Sequence, residues 1–259
     1  MCNEKFEKLK IKKILVSQPE PETEKSPYFD LAEKHNLKID FRSFIQIEPV
    51  EAKVFRKERV NVLDYTAVIL TSRTAADHFF RICEELRITV PDSMKYFCVS
   101  EATAFYLQKY IVYRKRKIFF GKRKFDDLIE VMEKHKDEKF LLPLSDMHKP
   151  DLPKKLEKLK VNFKVAILYR TVACDLSDLL DVNYDILVFF SPSGIKSLFE
   201  NFPEFKQNTT KIAAFGSTTA NAVKEANLRL DIQAPLPEAP SMTMALDQYI
   251  KLSNKNCKK

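Results

Sequence analysis

Hydroxyl-bearing residues in this chain recur in short clusters, each directly after a run of apolar, β-branched or aromatic residues. Thr71, Ser72 and Arg73 follow AVIL; Ser100 and Thr103 follow YFCV. Ser191, Ser193 and Gly194 follow ILVFF, and Gly216, Ser217, Thr218 and Thr219 follow KIAAF. Where a strand turns into a helix, such residues can hold an anion. Their hydroxyls and the free N–H groups of the first helical turn converge on it, and the helix dipole favours negative charge. The same residue types are also ordinary N-caps, so a single cluster taken alone reads as a cap. Four clusters at equivalent points are what raise the anion-binding reading.

Conventional catalytic groups are sparse. His35, His78, His135 and His148 show no HExxH motif and no spacing to a nucleophile, which gives a triad or a metal site little support. His35 and His135 read as exposed helix-end residues, and His78 lies beside an apolar helical face. Carboxylates such as Glu130 and Glu133 alternate with lysines and read as solvated surface. The stretch MHKPDLPKKLEKLK starts a basic helix near a strand end; Lys149 is placed to reach an anion, and the later lysines read as solvated. Tyr169, in the extended segment ILYRTV, carries a phenol able to donate a hydrogen bond or act as a weak acid. In such a segment a tyrosine is more often packing material.

The elements that must position these groups alternate regularly. Apolar runs at 13–17, 67–71, 96–99, 140–144, 185–190 and 211–215 read as strands buried on both faces. Helical patterns follow several of them. In 73–86, Ala76, Phe79, Phe80 and Cys83 share one face at spacings of three and four. The class is α/β, with parallel sheets flanked by helices in two Rossmann-like domains.

An internal repeat supports two units. DYTAVILTSRTAADHFFRI resembles NYDILVFFSPSGIKSLFENF, YFCVSEATAFYLQKY resembles IAAFGSTTANAVKEAN, and helices at 125–135 and 242–251 hold matching third places. Two extended stretches, FRSFIQIEPVE and NFKVAILYRTVAC, flank the first repeat. They suggest a two-stranded antiparallel linker and one domain inserted into the other. Domain 1 would comprise 1–42 and 171–259, domain 2 would comprise 49–166, and the linkers would lie at about 43–48 and 167–170. Two sequential domains are the plainer alternative.

Composition narrows the class further. The chain has 259 residues, 45% hydrophobic and 31% charged, enough for two cores under a soluble surface. No apolar run is long enough for a membrane span and the N-terminus lacks a signal-peptide core, so a cytoplasmic protein is expected. Five scattered cysteines form no CxxC pair, and Cys83 and Cys98 read as buried thiols. Three glycines cannot build a phosphate-binding loop. The net charge of +8 favours an anionic partner, but dispersed basic residues without a recognition motif argue against nucleic acid.

The ordered pattern TSRTAADHF, VSEATA, YRTV, FFSPSGIKSL, GSTTANAV and PSMTMAL resembles the uroporphyrinogen-III synthase family over nearly the whole chain. The resemblance implies two α/β domains joined by a two-stranded linker, with the active site in the cleft. It implies conversion of hydroxymethylbilane to uroporphyrinogen III with loss of water, needing neither metal nor organic cofactor, by a monomer without nucleic-acid or membrane partners. Tyr169 matches the family's linker tyrosine, thought to assist departure of the hydroxyl; Ser72, Thr103, Ser191 and Thr219 match hydroxyl positions lining the cleft. The chain departs from the family where Ser145 and Lys149 replace a common glycine and arginine and where Ser100 replaces a glycine. Another departure is the turn after the first strand, which reads SQPEPETEKSPYF. The competing class is a non-catalytic two-domain binding protein for a small polycarboxylate.

Overall fold

The computed structural model describes residues 10–23, 25–122, 124–148, 150–180 and 183–256, with side chains to 254. The chain opens with β1 (Lys13–Val16), α1 (Pro27–His35), β2 (Lys38–Phe41), β3 (Ile45–Pro49) and α2 (Ala52–Lys57). There follow β4 (Ala67–Leu70), α3 (Arg73–Glu85), β5 (Lys95–Cys98), α4 (Glu101–Tyr106), β6 (Ile118–Phe120) and α5 (Phe125–Met132). Next come β7 (Lys139–Ser145), α6 (Asp151–Leu159), β8 (Asn162–Ala173), β9 (Ile186–Phe189) and α7 (Pro192–Asn201). The chain closes with β10 (Lys211–Phe215), α8 (Ser217–Glu225), β11 (Ile232–Ala234) and α9 (Met242–Asn256). Two compact units result: unit 1 holds 1–46 and 172–259, and unit 2 holds 47–171.

Unit 1 is built on a five-stranded sheet in the order β11-β10-β9-β1-β2, all pairs parallel. Alternation along each strand divides its apolar side chains between two faces. Ile14, Val16, Ile186, Val188 and Ala213 pack with Leu31 of α1 and Leu246 and Ile250 of α9. Leu15, Leu187, Phe189, Ile212 and Ala214 pack with Ile195 and Leu198 of α7 and Val223 of α8. Strands covered on both sides must be apolar throughout, which is why β9 reads ILVF and is buried at every position. Each fully buried Leu, Ile or Phe adds about 1.5–3 kcal/mol relative to exposure.

Unit 2 carries a six-stranded sheet in the order β3-β8-β7-β4-β5-β6. The pairs from β8 to β6 are parallel. Val50 N–H donates to the Leu168 carbonyl (3.0 Å) and Cys174 N–H to the Phe44 carbonyl (2.9 Å). Partner numbers fall as the first segment advances, so the two linker segments run antiparallel.

Counted along the chain, unit 1 has the strand order 2-1-3-4-5. Unit 2 has the same order when counting starts at β7 and β8 and continues with β4, β5 and β6. It is therefore a circular permutation of unit 1, with β3 added outside β8. The helices agree. Faces of β4 and β5 are covered by α3 and α4 as those of β9 and β10 are by α7 and α8; α5 and α6 take the places of α9 and α1. Even the helix ends correspond, since α1 and α6 both stop at a left-handed residue, Asn36 (φ 50°) and Lys160 (φ 58°).

Two sequence expectations are corrected. His35 is largely covered, with Nε2 2.7 Å from Asp247 Oδ1. His135 is half-buried, its ring packed edge-on to Phe97 and tilted over Phe119. The reason is the same in each case: a helix end that looks exposed in sequence is met by a neighbouring helix or strand of the same unit. Cys83 and Cys98 are buried as expected, and burial pushes both thiols up to about 12.

Candidate anion-binding site

In a doubly wound sheet, ligands bind past the carboxyl ends of the strands where the order reverses, because the two crossovers leave in opposite directions. In unit 2 that point lies between β7 and β4. A cavity of about 350 Å³ opens there, lined among others by Thr71, Ser145, His148, Asp151, Lys155 and Tyr169. Its size sits at the low end of the ~300–1,000 Å³ usual for small-ligand sites.

Tyr169 reaches this place through an irregularity in the ladder. Leu144 pairs with Ile167 but Ser145 pairs with Tyr169, so one residue of β8 is skipped. A bulge of this kind changes which side chains share a face. Here Leu168 and Tyr169, though consecutive, are both buried in the same apolar cluster. The turn after β7 is wired tightly beside the phenol. Asp146 Oδ1 accepts from Thr171 N–H (3.0 Å) and from the Ser145 hydroxyl (3.0 Å), and Met147 N–H donates to Ser145 Oγ (3.2 Å). His148 Nδ1 lies 2.8 Å from the Ser145 carbonyl.

Burial raises the Tyr169 phenol above its ordinary value, and a hydrogen bond with Ser72 opposes the shift. The side chain is 8% exposed. Its ring stacks on His78 at 4.8 Å between centroids with 18° between planes. A neutral phenol with its hydroxyl near a polar cavity is a hydrogen-bond donor rather than a base.

The other sequence candidates divide by exposure. Ser72 caps α3 by accepting from Ala75 N–H (3.1 Å), and Ser191 caps α7 by accepting from Gly194 N–H (3.2 Å). Ser100 accepts from Thr103 N–H (3.3 Å), and its hydroxyl lies 3.1 Å from Thr103 Oγ1. Arg73 is exposed, its guanidinium 5.4 Å from the Tyr106 ring centre. Ser193 is half-buried, while Ser217 and Thr218 are exposed at the start of α8. Thr103 and Thr219 are buried in the first turns of their helices, at 5% and 1% exposure. Lys149 lies outside the described residues.

Two glycines shape the corners of unit 1. Gly216 precedes α8 with φ +85°, a conformation L side chains rarely adopt. At Gly194 a Cβ would sit 3.3 Å from the Phe189 ring and 3.8 Å from both Ser17 Oγ and Ser191 Oγ, so the absent side chain lets the strand ends approach closely.

Sequence reasoning passed over Ser145 as a site residue and found no role for His148. The usable signal was positional: both lie just past the carboxyl end of β7, the strand beside β4. A larger cavity, about 930 Å³, lies at the amino ends of β9 and β10, walled partly by Leu15, Phe44, Leu187, Phe202 and Phe205. Its wall also carries polar groups, among them Asn201, Lys206 and Thr210, but it lies at the opposite strand ends from the switch point, where doubly wound sheets bind their ligands. Among the described residues no group of three or more His, Cys, Asp and Glu is placed to hold a metal, and no helix is long and apolar enough to cross a membrane.

The chain is similar in fold to solved structures of two bacterial proteins. Uroporphyrinogen-III synthetase from Helicobacter pylori is 18% identical, with 93% of this chain and 100% of that one covered and a TM-score of 0.59. A mutant uroporphyrinogen III synthase from the extremely thermophilic bacterium Thermus thermophilus is 15% identical, with 95% and 99% covered and a TM-score of 0.53. No curated protein matches the chain in sequence. Residues 26–244 match the family described as "Uroporphyrinogen-III synthase HemD", and since that is well over half of its length, the chain belongs to the uroporphyrinogen-III synthase family.

Proposed function

We propose that this protein is a uroporphyrinogen-III synthase, a lyase that converts hydroxymethylbilane to uroporphyrinogen III with inversion of one pyrrole ring. The family match over residues 26–244 supports the reaction. Within the molecule, the observation that carries the reading is a buried phenol, Tyr169, at the rim of a polar cavity beside the switch point.

In this reading the Tyr169 hydroxyl passes its proton to the substrate's terminal hydroxyl as the C–O bond breaks and water leaves, and the phenolate takes up the N–H proton that the terminal pyrrole loses on becoming an azafulvene. The resulting azafulvene is attacked by the substituted carbon of the far pyrrole, giving a spiro intermediate that fragments and recloses with that ring inverted. The pyrroles bring their own reactivity, so the protein's contribution is chiefly orientation, and no strong nucleophile is needed. Carboxylates of the substrate are received by the donors at the strand ends. In unit 2 these are Thr71, Ser72, Arg73 and Ser100; unit 1, taken by itself, carries a comparable set in Ser191, Ser193, Gly194, Ser217 and Thr218. The buried Thr103 and Thr219 shape the turns that present them. A cavity of this size suits one substituted pyrrole, not the whole tetrapyrrole.

The test is isomer analysis. Supplied with enzymatically generated hydroxymethylbilane and no added cofactor, the protein is expected to yield the type III isomer. Spontaneous closure yields type I, and type I as sole product would refute the proposal.

A further inference from the structure

Helix α3 grips β8 at one point through three of its own residues. Ser72, its N-cap, sits beside the Tyr169 phenol and opposes the rise that burial gives it. His78, two turns on, lays its ring flat against the Tyr169 ring, 4.8 Å away and 18° from parallel. Arg81 then reaches across: its Nη2 donates to the carbonyl of Leu168 (3.1 Å), the residue before Tyr169, and to the carbonyl of Val50 (2.9 Å). Arg81 Nε also donates to His78 Nδ1 (3.3 Å), and Nη1 pairs with Glu85 (2.6 Å). The guanidinium thus ties the imidazole to the same stretch of backbone that carries the tyrosine.

The protonation state follows from the geometry. Because Nδ1 accepts from Arg81, the ring proton sits on Nε2 and the imidazole is neutral. Burial lowers its tendency to protonate, and the adjacent Arg81 charge lowers it further, against a smaller opposing pull from Asp77. A neutral ring stacked on a phenol restricts rotation of that phenol without adding a charge next to it. For a hydroxyl that must meet one leaving group, such restriction matters: a misplacement of about 1 Å can slow a reaction on the order of 100-fold.

We propose that His78, fixed by Arg81, is a positioning residue that holds the Tyr169 ring in the orientation its chemistry requires. The inference rests on Tyr169 having the role given under Proposed function, and it extends that reading to a residue that touches no substrate.

Two measurements test it, and they separate its failure from that of the function. The first needs no turnover. With tyrosine labelled at Cζ with ¹³C, the Tyr169 resonance is assigned by its loss in Tyr169→Phe. In His78→Ala it is expected to shift and broaden, and in His78→Phe, which keeps a flat ring, to stay single and sharp. An unchanged line in His78→Ala would overturn the proposal whether or not the protein is a synthase. The second is a double-mutant cycle on type III formation. His78→Ala is expected to lower kcat about 10-fold or more with KM within about 2-fold, and His78→Phe to restore most of it. In the Tyr169→Phe background His78→Ala should cause no further loss, because the two residues act as one unit. An equal loss in both backgrounds would show His78 acting independently of Tyr169 and would overturn the proposal. A wild-type protein that makes no type III isomer would instead sink the function, with the labelled resonance still deciding the stack.

Discussion

The two units share one architecture but differ at the place where a doubly wound sheet binds its ligand. In unit 2 the switch point between β7 and β4 holds an open cavity with a phenol, an imidazole and hydroxyls on its walls. At the equivalent point of unit 1, between β1 and β9, Gly194 lets Ser17, Ser191 and the Phe189 ring close together. One copy of the fold thus places a phenol, an imidazole and hydroxyls at this point, while the other places small residues there. The difference traces to the permutation. Unit 2 uses β8 where unit 1 uses β2, and β8 is long enough to carry Tyr169 to the last pair of its ladder with β7, opposite Ser145; β2 has four residues and stops at Phe41.

The comparison breaks most sharply at Tyr169. Tyr169→Phe removes the hydroxyl and keeps the ring that stacks on His78. If unit 2 supplies the proton donor, kcat should fall about 100-fold, the lower range for loss of a general acid, with KM little changed. Steady-state kinetics of type III formation measures it; unchanged kcat would remove Tyr169 from the mechanism and leave the two switch points functionally alike.

The next largest effect is expected in unit 1. Gly216 and Ser100 stand at the same point of the fold, each before the helix that follows the second repeat strand, yet only Gly216 has a positive φ, at +85°. Its ψ of 152° places it in a region open essentially to glycine. Gly216→Ala should therefore destabilise the protein by about 1–3 kcal/mol, although nothing lies within 4 Å of the added Cβ. Urea denaturation reads this directly. A loss under about 0.5 kcal/mol would mean the turn relaxes to the conformation seen at Ser100.

A smaller contrast lies on the opposite helix pairs. Asp247 of α9 meets Lys34, His35 and Lys251 at 2.9, 2.7 and 2.6 Å, whereas Asp126 of α5, the helix in the equivalent place, meets Lys155 and is far more exposed. Burial by itself would raise the Asp247 carboxyl, but hydrogen bonds from Lys251, His35 and Lys34 outweigh it and hold the group well below the usual carboxylate range. A lowered folded-state value means the stabilisation is complete above the unfolded carboxylate's pKa near ~3.9 and is lost as pH falls through the folded one. Asp247→Asn should cost about 1–2 kcal/mol at pH 7 and progressively less below pH ~4; Asp126→Asn should cost under about 0.5 kcal/mol. Thermal denaturation of both variants against pH checks the ranking.

Much of this fold was legible in the residues because parallel strands covered on both faces must be apolar at every position, as AVIL and ILVF are. The repeat was legible for the same reason. What could not be read were β2, β6 and β11, edge strands of three or four residues whose pairing depends on neighbours far away in the chain. The permutation was hidden too, since it resides in which strand lies beside β4, and no local pattern encodes that. At the site, Thr71 and Ser72 followed from the strand-end rule and Tyr169 from the family resemblance. The His78 stack did not, because it joins residues from a helix and a distant strand. His148 looked inert by spacing, and only the position of its turn beside the cavity gives it a place there.

The smallest effect bears on the departure that sequence comparison singled out, serine in place of glycine at position 100. Ser100 caps α4 through Thr103 N–H and contacts the Thr103 hydroxyl as well. Glycine is nearly as good an N-cap, since it leaves the first-turn N–H groups open to water, so Ser100→Gly should cost only a few tenths of a kcal/mol while Ser100→Ala costs about 1. Unit 1 manages the equivalent turn with Gly216 and a buried Thr219 that has no such serine beside it. If Ser100→Gly proves as costly as Ser100→Ala in urea denaturation, the Ser100–Thr103 hydroxyl contact is holding Thr103 in place. The two turns would then be stabilised by different means, a side-chain bond in one unit and backbone freedom in the other.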